Sequence, residues 1–111
     1  MKYYIDDKLV RTSDRTYTHA VMFDDEVYSC CGSFLLANKE LNRRLAYHEQ
    51  NIRDSHLAIK ALDEGKRFYM TTVCRKPYKA KIERSREEYL ERIADNEARA
   101  TRWHIRELEA R

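Results

Sequence analysis

From about residue 35 the apolar residues of this chain change period, and that change limits the fold more than any other feature. Leu41, Leu45, His48, Ile52, Ser55, Ile59 and Leu62 follow one another at spacings of 4, 3, 4, 3, 4 and 3. Such a series lies along one side of a helix, Ser33 is placed to cap it, and Gly65 is a good C-terminal stop. The spacing predicts a helix over 35–64, about 40 Å long at roughly 1.5 Å per residue. A second helix is predicted over 78–109. Pro77 suits a helix start, residues 78–111 hold no glycine or proline, and Ile82, Tyr89, Ile93, Ala100 and Trp103 repeat at a helical period that Asn96 interrupts.

The first third reads as strands. "YYI" and "LVRT" flank Asp6-Asp7-Lys8, a turn-compatible triplet, which gives strands over 2–5 and 8–12. Alternation of Tyr17, His19, Val21 and Phe23 with their neighbours predicts a strand over 16–23. Asp24-Asp25 turns it into another over 26–31. "RFYMTTVCR" adds a strand over 67–75, rich in β-branched and aromatic residues. The expected architecture is therefore α+β: one domain over 1–111, with a small antiparallel sheet of four to five strands and two long helices. Helices of 40–50 Å exceed what so few strands can cover. They are expected to pack on each other and, over part of their length, on a second copy, giving a homo-oligomer. His48, inside the apolar stripe, reads as a packing histidine that fixes register between partner helices.

Composition narrows the class. Charged residues are 37% of the 111 and the net charge is +3, too mild for a uniformly basic face and of the wrong sign for an acidic mimic of DNA. No run approaches the roughly 18 apolar residues of a membrane span. Met1–Arg11 has no apolar stretch of signal-peptide length. A cytoplasmic protein is expected. Its three cysteines, Cys30, Cys31 and Cys74, are an odd number, so reduced thiols rather than a disulfide framework are the plain reading.

No catalytic set stands out. Cys30 or Cys31 with His19 would make a thiol–imidazole pair on neighbouring strands, but nothing in the local sequence activates either thiol. The four histidines and three cysteines show no spacing typical of a metal site. No enzyme activity, cofactor or metal is expected. Arg43, Arg44, Arg84, Arg86, Arg99, Arg102 and Arg106 invite a nucleic-acid reading, as do the eight tyrosines. Glutamates three and four residues from these arginines instead suggest a solvated helix face.

The densest chemistry lies in "RTSDRTYTHAVMF", residues 11–23. Arg11 and Arg15 bracket hydroxyl residues, and Thr12, Tyr17, Thr18 and His19 complete the cluster. Guanidinium forks fit phosphate oxygens bidentately, hydroxyls satisfy the remaining oxygens, and an aromatic ring stacks on a base. "FYMTTVCRKPY" repeats this in small with Arg75 and Lys76 ahead of a helix start, where free N–H groups favour an anion. The competing reading is an edge strand protected from aggregation by its charges. The candidate ligand-binding set is Arg11, Thr12, Arg15, Tyr17, Thr18, His19, Arg75 and Lys76.

The length, the order of strands then long helices and the "RTS…YTHA" stretch resemble small phage counter-defence proteins, and the layout is similar to the Thoeris anti-defence sponges. The resemblance covers most of the chain as layout, and only the quoted stretch contributes residues, so no binding position is carried over individually. Those sponges are compact oligomers with a β-sheet core and two long helices. They bind cyclic ADP-ribose isomers and hold them away from the host effector. The resemblance implies a non-enzymatic protein of a bacterial host's cytoplasm that sequesters an anionic nucleotide-derived signal, a cyclic ADP-ribose isomer or a cyclic oligonucleotide. A protein-binding inhibitor, such as an anti-CRISPR, and a small nucleic-acid-binding regulator are the alternatives.

Overall fold

Paired aspartates set the first turns. In a computed structural model that describes residues 1–68, 70–73 and 79–111, Asp6 and Asp7 both take the left-handed backbone region, at φ 49° and 63°. Ile5 faces Lys8 across them. A two-residue loop of this kind matches the twist of its flanking strands and joins β1 (Lys2–Ile5) to β2 (Lys8–Thr12). Asp24, at φ 52°, opens the tight turn between β3 (His19–Phe23) and β4 (Glu26–Cys31). The strand expected over 16–23 thus starts three residues late. The Tyr17 N–H goes to the Tyr3 hydroxyl at 3.0 Å instead of a neighbouring strand, so the ladder begins at His19.

Helix α1 runs from Phe34 to Asp63, close to its expected span, and its caps explain both ends. Ser33 Oγ accepts the Leu36 N–H at 3.2 Å. At the other end Gly65, at φ 75°, donates to the Leu62 carbonyl, and the Lys66 N–H reaches the Ala61 carbonyl at 2.9 Å. That pair of bonds needs a left-handed residue, which glycine supplies without strain. Within α1 the stripe residues Leu41, Leu45, Ile52, Ile59 and Leu62 are half-buried. Ala37, His48, Ser55 and Ala58 are buried.

The second helix is where expectation fails. No helix spans 78–109: β6 occupies Lys79–Ile82, α2 only Arg86–Ala100, and two strands follow, β7 (Trp103–Glu107) and β8 (Glu109–Ala110). The start is fixed by a capping box. Ser85 Oγ accepts the Glu88 N–H, and Glu88 Oε1 accepts the Ser85 N–H, each at 3.2 Å. At the far end "WHIRE" alternates with a period of two, and Trp103 and Ile105 pack against the Val21 cluster. Extended pairing to β3 wins over continued helix. β5 (Met70–Val73) lies inside the strand expected over 67–75 and pairs with β6. Cys74 and the candidate residues Arg75 and Lys76 lie outside the described residues.

The fold is α+β, with more strands than expected. Two three-stranded antiparallel sheets, ordered β2-β1-β8 and β4-β3-β7, accompany the β5-β6 hairpin. The chain divides into two compact units, Met1–Tyr47 with Arg99–Arg111, and His48–Ala98. In the first, Ala20 and Met22 turn to one side of β3, where they meet Ile5, Val10, Val27 and Leu108. Val21 turns to the other, against Cys31, Ala37, Trp103 and Ile105. Alternation thus makes β3 the central strand of two small cores. Burying Val21 fully, at 0% exposure, contributes about 1.5–3 kcal/mol.

The second unit is held differently. Tyr89, Ile93 and Ala58 are buried, and so are His48, Ser55 and Asn96. Asn96 donates from Nδ2 to the Arg92 carbonyl at 2.8 Å, so its Oδ1 faces His48 Nδ1 at 2.9 Å. His48 therefore carries its hydrogen on Nδ1. Asn51 donates to the same Oδ1 at 3.3 Å and accepts from Arg92 at 3.2 Å. The residue that interrupted the apolar period, Asn96, is the partner of the histidine that interrupted the other. Among the described residues no helix is long and apolar enough to cross a membrane.

Candidate functional site

The segment between β2 and β3 owes its shape to a tyrosine. Tyr3 is fully buried. Its hydroxyl donates to the Arg15 carbonyl at 2.5 Å and accepts the Tyr17 N–H at 3.0 Å. Ser13 Oγ takes the Arg15 N–H at 3.1 Å, and the Ser13 N–H reaches the Met1 carbonyl. A loop of polar residues is thus fixed to a strand by side-chain bonds that replace a ladder.

Side chains that this backbone presents fall into two groups. Arg11 lays its guanidinium over the Tyr17 ring, 4.9 Å from the centroid, and Tyr17 stands edge-on to Tyr3 at 5.5 Å. A cation held over an aromatic face keeps its outer face available to an anion, and with it the N–H groups that are not turned to Cys30. Arg15 is exposed, and its guanidinium pairs with no described residue. Thr12 is exposed at the end of β2. The second group is Thr18 and His19. Thr18 Oγ1 meets His19 Nδ1 at 2.8 Å, and the imidazole stands edge-on to Phe34 at 5.4 Å. The exposed Phe34, Leu35 and Leu36 therefore adjoin the cluster through His19.

The cysteines do not form the imagined pair with His19. Cys31 faces His19 across the strands, but its Sγ lies 3.9 Å from Ser29 Oγ, and His19 Nδ1 is taken by Thr18. Burial pushes the Cys30 thiol up, opposed by a hydrogen bond from Arg11. The thiol stays protonated at neutral pH, which suits a small packed side chain rather than a nucleophile. Among the described residues no three His, Cys, Asp or Glu side chains could hold a metal ion.

Two arginines first read as a helix face, Arg102 and Arg106, have other partners, as does Arg111. Arg102 grips Asp24, His104 Nε2 meets the Asp24 carbonyl at 2.7 Å, Arg106 meets Asp6 at 2.8 Å, and Arg111 reaches Asp7 and Glu109. These arginines secure the hairpin turns and are not displayed on a helix. Arg43 and Arg44 do fit the solvated reading, each 3.4 Å from Glu40 one turn away. No family model, no curated protein and no solved structure matches this chain. Function rests on geometry.

Sequence reasoning missed Tyr3, the residue that shapes the site, and weighed Cys30 only as a thiol beside His19, not as a contact of Arg11. The "YY" of β1 gave no signal. Only the pairing of Tyr3 with Arg11 across β1 and β2 brings that strand beside the loop.

Proposed function

We propose that this protein is a non-enzymatic binder that captures an anionic, nucleotide-derived signal, a cyclic ADP-ribose isomer or cyclic oligonucleotide, and keeps it from its receptor. The observation that carries this reading is Arg11 poised over Tyr17, whose backbone is itself pinned by the buried Tyr3 hydroxyl. Phosphate oxygens would take the Arg11 and Arg15 forks. Thr12 and Thr18 hydroxyls would satisfy what the forks leave, and a base or ribose would lie against Tyr17 and His19. Fixing the loop before the ligand arrives lowers the ordering cost of binding. In this reading the chain acts as a homo-oligomer through its one long helix, α1, and the phage counter-defence role follows from the resemblance to the Thoeris sponges, of whose two long helices this chain has one.

A thermal-shift panel of cyclic nucleotides and ADP-ribose derivatives tests the proposal. A ligand that binds only the folded state, present at about 100 times its Kd, stabilises by about 2.7 kcal/mol. No shift by any of them near 1 mM ligand contradicts it.

A second reading, a protein-binding inhibitor, is favoured by Phe34, Leu35 and Leu36, which are 57%, 70% and 53% exposed in consecutive positions. Adjacent exposed apolar side chains mark contact surfaces more often than scattered ones do. Capture of a stoichiometric host protein that Leu35→Asp abolishes, with no ligand shift in the panel, would establish this reading instead.

A further inference from the structure

At the end of the first unit that carries the aspartate turns, a cleft of about 230 Å³ opens between the two hairpins. Its floor is apolar. Ile5 and Met22, core residues 8% and 3% exposed, reach it together with Val10. Its rim is charged and largely fixed. Asp6 is held by Arg106, and Asp24 is held by Arg102 and, at its carbonyl, by His104. The left-handed turn residues are thus anchored, so the cleft is preformed.

Two rim charges are left over. The side chains of Asp25 and Lys8 line the cleft and make no hydrogen bond or ion pair with a described residue. Arg106 neutralises Asp6 and Arg102 neutralises Asp24, which leaves Asp25 and Lys8 as the unengaged charges of the rim. Lys8 sits on a flexible stem that can swing its ammonium into water, whereas Asp25 sits in a tight turn. An anion entering the cleft would have Lys8 alone to meet it, on a stem free to leave, beside the fixed Asp25 carboxylate. A cation would find that carboxylate unengaged, above a hydrocarbon floor.

We infer that this cleft binds a small organic ammonium compound, with its hydrocarbon body on Ile5, Val10 and Met22 and its charge at Asp25. The volume lies below the roughly 300–1,000 Å³ of sites for larger ligands. That restricts the guest to a short branched chain. Such a group occurs both in simple amines and in apolar amino acids, and the amino acids add a carboxylate within the chemistry of Lys8. None of these residues belongs to the 11–19 cluster, so the inference stands apart from the proposed function.

Methyl-resolved NMR titration of the full chain with 3-methylbutylamine, leucine and 3-methylbutanoate tests it. The amine should shift the Ile5, Val10 and Met22 methyls saturably, with a Kd on the order of a millimolar as expected for so few atoms. The carboxylate should not. Asp25→Asn should weaken the amine about tenfold or more while amide dispersion is preserved, and Lys8→Met should retain it. Leucine tighter than the amine adds Lys8 to the site, and leucine weaker leaves the ammonium alone as the recognised group. Both rankings support the inference. No saturable shift with the amine, equal shifts with 3-methylbutanoate, or unchanged amine binding in Asp25→Asn would overturn it.

Discussion

Tyr3 and Tyr89 are both completely buried, one in each compact unit, and they do opposite things with the same hydroxyl. In the first unit the Tyr3 hydroxyl donates once and accepts once, to backbone groups of one loop. In the second the Tyr89 hydroxyl is buried with no hydrogen-bond partner among the described residues, and so is Arg92 Nε one turn on. The Tyr89 ring instead packs edge-on to Phe68 at 6.2 Å. The first unit uses polar atoms sparingly and satisfies them, around two apolar cores. The second places His48, Asn96 and Ser55 among its buried residues and leaves two polar atoms without a partner among the described residues. Buried polar groups specify geometry, yet each one left unmatched weakens the unit that holds it.

The largest effect should come from breaking the second unit's network. Asn96→Leu strands the His48 Nδ1–H and the Asn51 amide, and should lower stability by about 1–3 kcal/mol in denaturant melts followed by far-ultraviolet circular dichroism. His48→Leu with Asn96→Leu should cost less than the two single changes added, because both polar partners then leave together. Additive losses would show that the pair is not coupled.

Next comes Tyr3→Phe, with a loss of about 1–2 kcal/mol, since the Tyr17 N–H and the Arg15 carbonyl lose their shared partner. Trp103, the one tryptophan, lies in the first unit and reports it by fluorescence. A smaller midpoint shift by circular dichroism than by fluorescence would sharpen the contrast between the units. Coincident shifts would mean that they unfold as one block and would break it.

Smaller still is the acid response of the first unit's turns. The Arg102 hydrogen bond holds the Asp24 carboxyl below its ordinary value of 3.8. A lowered folded-state value means stabilisation that is full above the ordinary value and lost as the pH falls below it. Wild-type protein should therefore lose stability below about pH 4 more steeply than Arg102→Gln, and the gap should narrow in high salt. Parallel acid curves would count against the pair. The smallest change is Tyr89→Phe, which removes a hydroxyl that no described residue meets and should leave the melting midpoint unchanged or slightly raised. A loss as large as that of Tyr3→Phe would show that the two hydroxyls are equivalent after all.

Local signals made the first hairpin and α1 legible. Asp6-Asp7 announces a two-residue turn, and the stripe from Leu41 to Leu62 ends at a glycine that takes φ 75°. The C-terminal third misled because its helical period continues through Trp103, while the competing partner is β3, about eighty residues earlier. Phe23 opposite Trp103 and Val21 opposite Ile105 are visible only in three dimensions. Ser85 and Glu88 did carry a readable start signal for α2, at the spacing of a capping box, and Pro77 drew attention away from it. At the candidate site the exposed polar and charged residues were legible by type. The organiser, Tyr3, was not, because its role depends on the β1–β2 register and on a loop that donates its N–H to a side chain.

Capture without turnover at the Arg11–Tyr17 pair is tested most directly by titration calorimetry of wild-type and Arg11→Ala protein with cyclic ADP-ribose isomers and cyclic dinucleotides, followed by chromatography of the released ligand. The account predicts saturable binding by the wild type, at least tenfold weaker binding by Arg11→Ala with an unchanged fold, and ligand recovered intact. Binding that is absent, indifferent to Arg11, or accompanied by a cleaved product would contradict it.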